Sequence, residues 1–286
     1  MSAFDASDVR EALSGCAIAG RWSIARTRSG SSRRTFTAVA GPQRLFVKFD
    51  VSIEALRRLS DLSVTPPVVG AGEYRGHSFV VQRHVGGRHP LPRWFHRHLP
   101  ELGRLIRNYQ IDPMLRQLAG SRTAPAHPAY VAAVLVDLEN RSGRVLHPRP
   151  HSSLARGMNQ LRERSATLRP VELVATHGDP NRKNFIVGTD AYLVDWDDLA
   201  LSDPMRDIGP LLWWYVPPRE WKDLPTEIGL DYDDAIRDRL YWWVAAESLD
   251  VALRLLEGGN GGAGAADFLD DFVAAINGQG NPHARI

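Results

Sequence analysis

One window of the 286-residue chain, THGDPNRKNFIVGTDAYLVDWDD at positions 176–198, holds a His-Gly-Asp triplet, an asparagine and further aspartates at short, definite spacing. Phe185-Ile186-Val187 and Tyr192-Leu193-Val194 are strand-like runs around the turn-rich Gly188-Thr189-Asp190-Ala191, which predicts a hairpin. Pairing symmetric about that turn sets Val187 opposite Tyr192, Phe185 opposite Val194 and Asn184 opposite Asp195. Such partners lie within ~5 Å at Cα. Mg²⁺ seeks an octahedron of oxygen ligands; the Asn184 amide and the Asp195 carboxylate would supply two, and nucleotide phosphates and water the rest. Asp179 falls in the loop just ahead of these ligands, where an attacking hydroxyl must be held. Lys183 stands in the same loop as a second catalytic candidate.

The elements that must carry this window divide into two kinds. The first stretch reads as short strands broken by turns, at 22–26, 35–40 and 45–49, followed by a helix over Ser52–Leu62 and further strands at 67–71 and 77–82. Gly86-Gly87 then marks the change to helix-dominated sequence. The reading predicts an α+β chain with a small β-rich N-terminal lobe bearing one helix (residues 1–85) and a larger, mainly helical C-terminal lobe (86–286). Helical spacing covers His98–Tyr109, Pro128–Glu139 and a long stretch from Asp231 to Leu256. Residues 140–153 read as a connecting loop, and GGNGGAGA at 258–265 as a flexible joint before a final helix near Asp267–Ile276. In Leu45-Phe46-Val47-Lys48-Phe49 the side chains alternate, so Lys48 points away from the apolar face and needs solvent or an anionic partner.

The spacing of Asp179, Asn184 and Asp195 is that of phosphoryl transfer, which asks a protein for positioning and charge neutralisation. The sequence resembles the aminoglycoside phosphotransferase and choline-kinase-like family, whose hallmark is His-Gly-Asp, four residues, Asn, then Asp-Trp-Asp or Asp-Trp-Glu after a short hairpin. His177, Gly178, Asp179, Asn184, Asp195, Trp196 and Asp197 match it, and LSDPMRDIG gives the family's Asp203, Pro204 and Asp207. The resemblance implies a protein-kinase-like fold, Mg²⁺, and ATP, with GTP as the alternative nucleotide. It implies that Asp179 is the catalytic base, that Asn184 and Asp195 hold the metal, and that Lys48 contacts the α- and β-phosphates with Glu54 as its ion-pair partner. His177, Asp203 and Asp207 become supports of the loop, and Trp196 core packing. Ser31 and Ser32, in the small-residue loop 28–36, would lie over the phosphates, and the backbone of Gln82, Arg83 and His84 would face the base.

Composition bounds the rest. The formal charge is +2 and the pI near 8.8, with no dense Lys/Arg tract, so nucleic acid is not implied. No apolar run reaches the ~20 residues of a membrane span. A lone Cys16 and an N-terminus without a secretory pattern predict a cytoplasmic protein, as monomer or homodimer. Charge is unevenly spread: residues 211–286 hold thirteen acids against six Lys/Arg, a net of −7, which leaves +9 before them. A cationic small-molecule acceptor suits the acidic part, with Asp197, Asp231, Asp234 and Asp238 as candidate contacts. The leading expectation is therefore an antibiotic kinase acting on an aminoglycoside or another polycation. The alternatives are a metabolic kinase for choline, an amino alcohol or a sugar, and a catalytically silent kinase-like binding module.

Overall fold

A computed structural model describes residues 4–27, 34–122, 124–142, 151–258 and 263–283. The chain divides into two compact units, one of residues 1–89 with 184–197, the other of 90–183 with 198–286.

The first unit opens with α1 (Ala6–Gly15), a second helix beside the one the sequence predicts. Its signal is a capping box: the Asp5 carboxylate accepts from the Ser7 and Asp8 N–H groups while Asp8 reaches back to the Asp5 N–H. With Asp rather than Glu or Gln closing the box, and only ten residues of helix, the signal is easily passed over. Strands β1 (Ser23–Arg26), β2 (Thr35–Ala40) and β3 (Gln43–Phe49) form the expected meander. Helix α2 (Ile53–Asp61), capped by the Ser52 hydroxyl, leads to β4 (Val68–Tyr74) and β5 (His77–Arg83). All pairings are antiparallel, in the order β1-β2-β3-β5-β4. Alternation along β3 buries Leu45, Val47 and Phe49 and turns Lys48 to the opposite face. Val9 and Leu13 of α1 join Phe4, Phe36, Phe49 and Phe79 in one apolar cluster, with the Phe4 and Phe49 rings stacked at 4.1 Å.

Beyond His89 the chain runs through α3 (Pro92–Arg97), α4 (Leu99–Gln110), α5 (Pro113–Arg122), α6 (Pro128–Ser142) and α7 (His151–Thr167). Helices thus enter the expected 140–153 loop from both ends; residues 143–150 lie outside the described ones. Strand β6 (Val174–Thr176) precedes the hairpin of β7 (Phe185–Val187) and β8 (Ala191–Leu193), which belongs with the first unit. Then come β9 (Ala200–Ser202), α8 (Met205–Tyr215), α9 (Asp223–Glu227), α10 (Asp234–Glu257) and α11 (Ala263–Ile276). Half of the predicted glycine-rich joint, 259–262, falls outside the described residues, and α11 begins within its last residues.

The long α10 is the spine of the second unit, burying Leu240, Trp242, Trp243, Val244, Leu249 and Leu253 between α8, α11 and α6. A side chain at Gly209 of α8 would meet the Leu240 carbonyl at 3.2 Å, so glycine lets these two helices close up. The short β6–β9 pair, Val174 facing Ser202 and Thr176 facing Ala200, sets the start of the His-Gly-Asp loop beside the start of the Asp-Pro segment. Among the described residues no helix is long and apolar enough to cross a membrane.

Candidate functional site

In the second unit the His-Gly-Asp loop hangs on one buried carboxylate. Asp207, on the first turn of α8, accepts the N–H of His177 at 2.7 Å, the N–H of Gly178 at 2.9 Å and the hydroxyl of Tyr109 at 2.8 Å. Both His177 and Asp207 are fully buried. Burial first, and then the Asp207 charge, push the Tyr109 hydroxyl well above its usual range, so it stays a donor. Asp203 anchors the other end of the segment through a buried pair with Arg239 and by accepting the Met205 N–H. His177 also fixes the residue two places on: its Nδ1 accepts the Asp179 N–H at 3.2 Å.

Gly178 shows why this loop needs a glycine. Its φ is +89°, and a Cβ there would lie 2.8 Å from the Asp198 carbonyl and 2.9 Å from Nη2 of Arg206. The backbone reversal presents Asp179, whose Oδ1 accepts from Asn181 Nδ2 at 2.7 Å. Asn181 in turn accepts the Lys183 N–H, which starts the 3₁₀ turn Arg182–Asn184. Asn181 was not among the expected site residues, although an Asn two places after the aspartate is the natural Asx-turn partner for this loop. Lys183 itself is exposed.

Glu247 of α10 is a second group the sequence reading passed over. Its carboxyl is pushed up to about 8, first by burial and then by the charges of Asp250 and Asp179, while Arg206 and Arg254 pull it down. Asp250 is itself held by Arg254 Nε at 2.7 Å. One carboxylate among the thirteen acids of the C-terminal stretch could be found only by knowing which face of α10 it occupies. The acids singled out in that stretch sit at or just before the start of α10. Asp233 caps α10 by accepting the Ile236 N–H, Asp234 pairs with Arg237 at 2.9 Å, and Asp231 and Asp238 are exposed.

In the first unit the hairpin is fastened to its surroundings by backbone. Arg88 and Val187 exchange two hydrogen bonds, and Leu193 donates to the Val64 carbonyl at 2.8 Å. A Cβ on Gly87 would strike Val187 O at 2.8 Å, so Gly86-Gly87 serves as a close-contact seat for the hairpin. The register corrects the expected one by a residue: Val187 pairs with Ala191, Ile186 with Tyr192 and Phe185 with Leu193. The loop has three residues, Gly188–Asp190, closed by Gly188 N–H on the Asp190 carbonyl, so Ala191 joins the ladder and Asn184 faces Val194, not Asp195. Asp195 then departs from the strand with φ +68°.

That departure brings Asp195 to Lys48. The Lys48 ammonium lies 2.7 Å from Asp195 Oδ1 and 2.8 Å from Asp197 Oδ1, and Arg34 Nη2 lies 3.4 Å from Asp197 Oδ2. Glu54 is not the partner expected for Lys48. It sits on the exposed side of the first turn of α2, whose inward face is Ala55, Leu56 and Leu59. Near the expected base-facing residues, Gln82 Nε2 donates to Thr65 Oγ1 and the Pro66 carbonyl, and the N–H groups of Arg83 and His84 donate to Pro67 and Arg44. Ser31 and Ser32 lie outside the described residues. Trp196, buried as expected, donates its indole N–H to the Leu193 carbonyl.

Asp195 offers an oxygen donor already holding a cation, and the hard carboxylate and amide oxygens of Asp195 and Asn184 suit Mg²⁺. Among the described residues no group of three His, Cys, Asp or Glu side chains could enclose a metal. A metal here would need ligands from a bound phosphate.

Comparison with known proteins bears on the fold. Among solved structures, a Ralstonia eutropha protein described as a candidate aminoglycoside phosphotransferase superposes with a TM-score of 0.69 at 16% identity, covering 96% of this chain and 97% of that one. The GDP complex of aminoglycoside 2'-phosphotransferase-IIIa gives 0.68 at 15% identity, over 96% and 99%. A choline kinase from Streptococcus pneumoniae gives 0.63 at 15%, over 94% and 97%. These share the two-part, protein-kinase-like fold, with a small β-rich region and a larger helical one. The family model described as "APH: Phosphotransferase enzyme family" matches residues 23–243, and the chain therefore belongs to that phosphotransferase family.

Proposed function

We propose that this protein is a Mg²⁺-dependent kinase that transfers the γ-phosphoryl group of ATP, or of GTP, to a hydroxyl of a small cationic molecule. An aminoglycoside or another polycationic antibiotic is the first acceptor class, and the phosphate would inactivate it by adding bulk and negative charge. The observation that carries the reading is the 2.7 Å pairing of Lys48 with Asp195, two residues 147 positions apart that phosphate binding and metal binding require separately. The proposal gives nucleotide and metal handling to the first unit, and hydroxyl activation to the second.

The roles follow from chemistry. A divalent ion on Asn184 and Asp195 would neutralise phosphate charge and orient the transferred group. Lys48 binds phosphate oxygens. Asp179, its carboxylate oriented by Asn181, positions the acceptor hydroxyl and accepts its proton as the oxygen bonds to phosphorus. Lys183 contributes positive charge beside that loop. Asp231, Asp234 and Asp238 are carried forward as acceptor contacts; Asp197, already paired with Lys48 at 2.8 Å, is not. The local engagement of Asp233 and Asp234 favours a second reading in which the acceptor is a smaller amino alcohol such as choline or ethanolamine, needing fewer carboxylates.

The test is an ADP-release screen across aminoglycosides, other cationic antibiotics, choline, ethanolamine and sugars. Turnover should be found with a cationic alcohol, and Asp179→Asn should lower it by roughly 10²–10⁴-fold while nucleotide affinity is kept. Full turnover in Asp179→Asn removes the assigned base. A best acceptor that is neutral or anionic removes the cationic class.

A further inference from the structure

One side chain in the first unit is on duty for two tasks that exclude each other. Lys48 gives N–H donors to Asp195 and to Asp197 at 2.7 and 2.8 Å, and its own side chain is 12% exposed against 55% and 36% for the two acids. The ammonium is covered while the carboxylates open outward. This geometry is built by the backbone. The left-handed turn at Asp195 and the burial of Trp196, pinned through its indole N–H to the Leu193 carbonyl, direct the aspartates on either side of the tryptophan to the same cation. Arg34 takes the remaining oxygen of Asp197 and also donates to the Asp50 carbonyl, so Asp197 stays oriented when Lys48 leaves.

We propose that Asp195 and Asp197 form a single cation site, with Asp197 a carboxylate of the metal site, and that the Lys48 ammonium occupies this site until nucleotide draws it away. The inference rests on the nucleotide-site reading above. One ammonium cannot hold both acids and also bind phosphate oxygens, and a divalent ion placed on the two acids would face the Lys48 charge at contact distance. Without nucleotide, metal and Lys48 compete for the same oxygens. With nucleotide, phosphates take over Lys48, the acids are released, and metal binding strengthens. Metal and nucleotide must then enhance each other's affinity reciprocally.

Calorimetric titration of the full chain with Mn²⁺ alone, and separately with Mn²⁺·ADP, tests this. Lys48→Met should tighten Mn²⁺ alone on the order of tenfold, the loss of a charge-assisted hydrogen-bonded competitor. The same substitution should weaken Mn²⁺·ADP. Lys48→Arg, which keeps the charge, should stay near wild type for Mn²⁺ alone. Adding Asp197→Asn to Lys48→Met should remove most of the gain. Lys48→Gln serves as a second neutral variant should Lys48→Met fold poorly, and melting with and without Mn²⁺ checks both, since the metal should restore stability lost with the ammonium. Unchanged or weaker Mn²⁺ affinity in the neutral variants, with Mn²⁺·ADP still bound by wild type, overturns the exchange and leaves the kinase reading standing. A wild-type protein that takes up no Mn²⁺·ADP overturns both.

Discussion

The two units hold their charges by opposite physical means. In the second, Asp207 is sealed from solvent and gives its oxygens to three fixed donors, two of them backbone, so the loop before Asp179 has one arrangement. In the first, Lys48, Asp195, Asp197 and Arg34 meet as ion pairs whose carboxylates are half exposed, a set of contacts that can be exchanged for others. A phosphotransferase needs both: a rigid base that keeps its geometry, and cation-binding groups that accept new partners when nucleotide arrives. Buried hydrogen bonds to charge are expensive to break, and exposed ion pairs are not.

The strongest way to break this comparison is to delete one carboxylate from each unit. Asp207→Ala leaves the buried N–H groups of His177 and Gly178 and the Tyr109 hydroxyl without their acceptor. It should cost about 3–5 kcal/mol in chemical denaturation, as removal of one partner from a buried charged network does. Asp197→Ala should cost ~0–1 kcal/mol. Equal costs, or a larger one at Asp197, would mean that the loop is not held by Asp207.

A smaller effect separates the two units by their glycines. Gly41, in the β2–β3 turn, has φ +56° with open space where a Cβ would go, whereas Gly178 combines φ +89° with backbone and guanidinium atoms within 3 Å of that place. Gly41→Ala should lose about 1 kcal/mol of stability, for the left-handed conformation alone. Gly178→Ala should lose roughly 2–3 kcal/mol and also lower kcat, since the obstructing atoms must move the residue next to Asp179. A Gly178→Ala enzyme with wild-type kcat would show that the loop tolerates displacement.

These contrasts also explain what the sequence made legible. The sheet of the first unit is readable because a period of two and a turn at each strand end, as at Gly41-Pro42, are local signals. The candidate site is readable because Asp179, Asn184 and Asp195 lie within one short window. The hairpin register is not, because three- and four-residue loops place the same apolar side chains in pairing range, and the choice turns on a single Gly188-to-Asp190 hydrogen bond. Helices α3, α5, α7, α8 and α9 were missed where Pro, Gly or Arg interrupts the apolar repeat, as Pro210 does inside α8. The true partners of Lys48 lie 147 and 149 residues away, and no spacing rule would have preferred them to Glu54 next door.

The smallest expected effect sharpens the comparison by asking whether the second unit also holds a carboxyl it cannot comfortably ionise. Glu247 has its proton affinity raised from the ordinary 4.5 to about 8, chiefly by burial, with Asp250 and Asp179 adding to the rise and Arg206 and Arg254 opposing it. The sign follows from linkage: a group whose folded pKa lies above its unfolded one favours the folded state most at low pH. That contribution is complete below about 4.5 and is lost as pH rises through about 8. Glu247→Gln mimics the neutral acid at every pH, so it should match wild type near pH 5 and exceed it near pH 8. Each 1 kcal/mol of difference corresponds to about 2–4 °C in Tm for a protein of this size class, and a gap of a few degrees opening between those pH values is the expected result. Melting curves for the two proteins in matched buffers decide it. A gap that does not change with pH would mean that Glu247 is solvated and ionised across this range, and that the Asp179 loop feels no neighbouring proton.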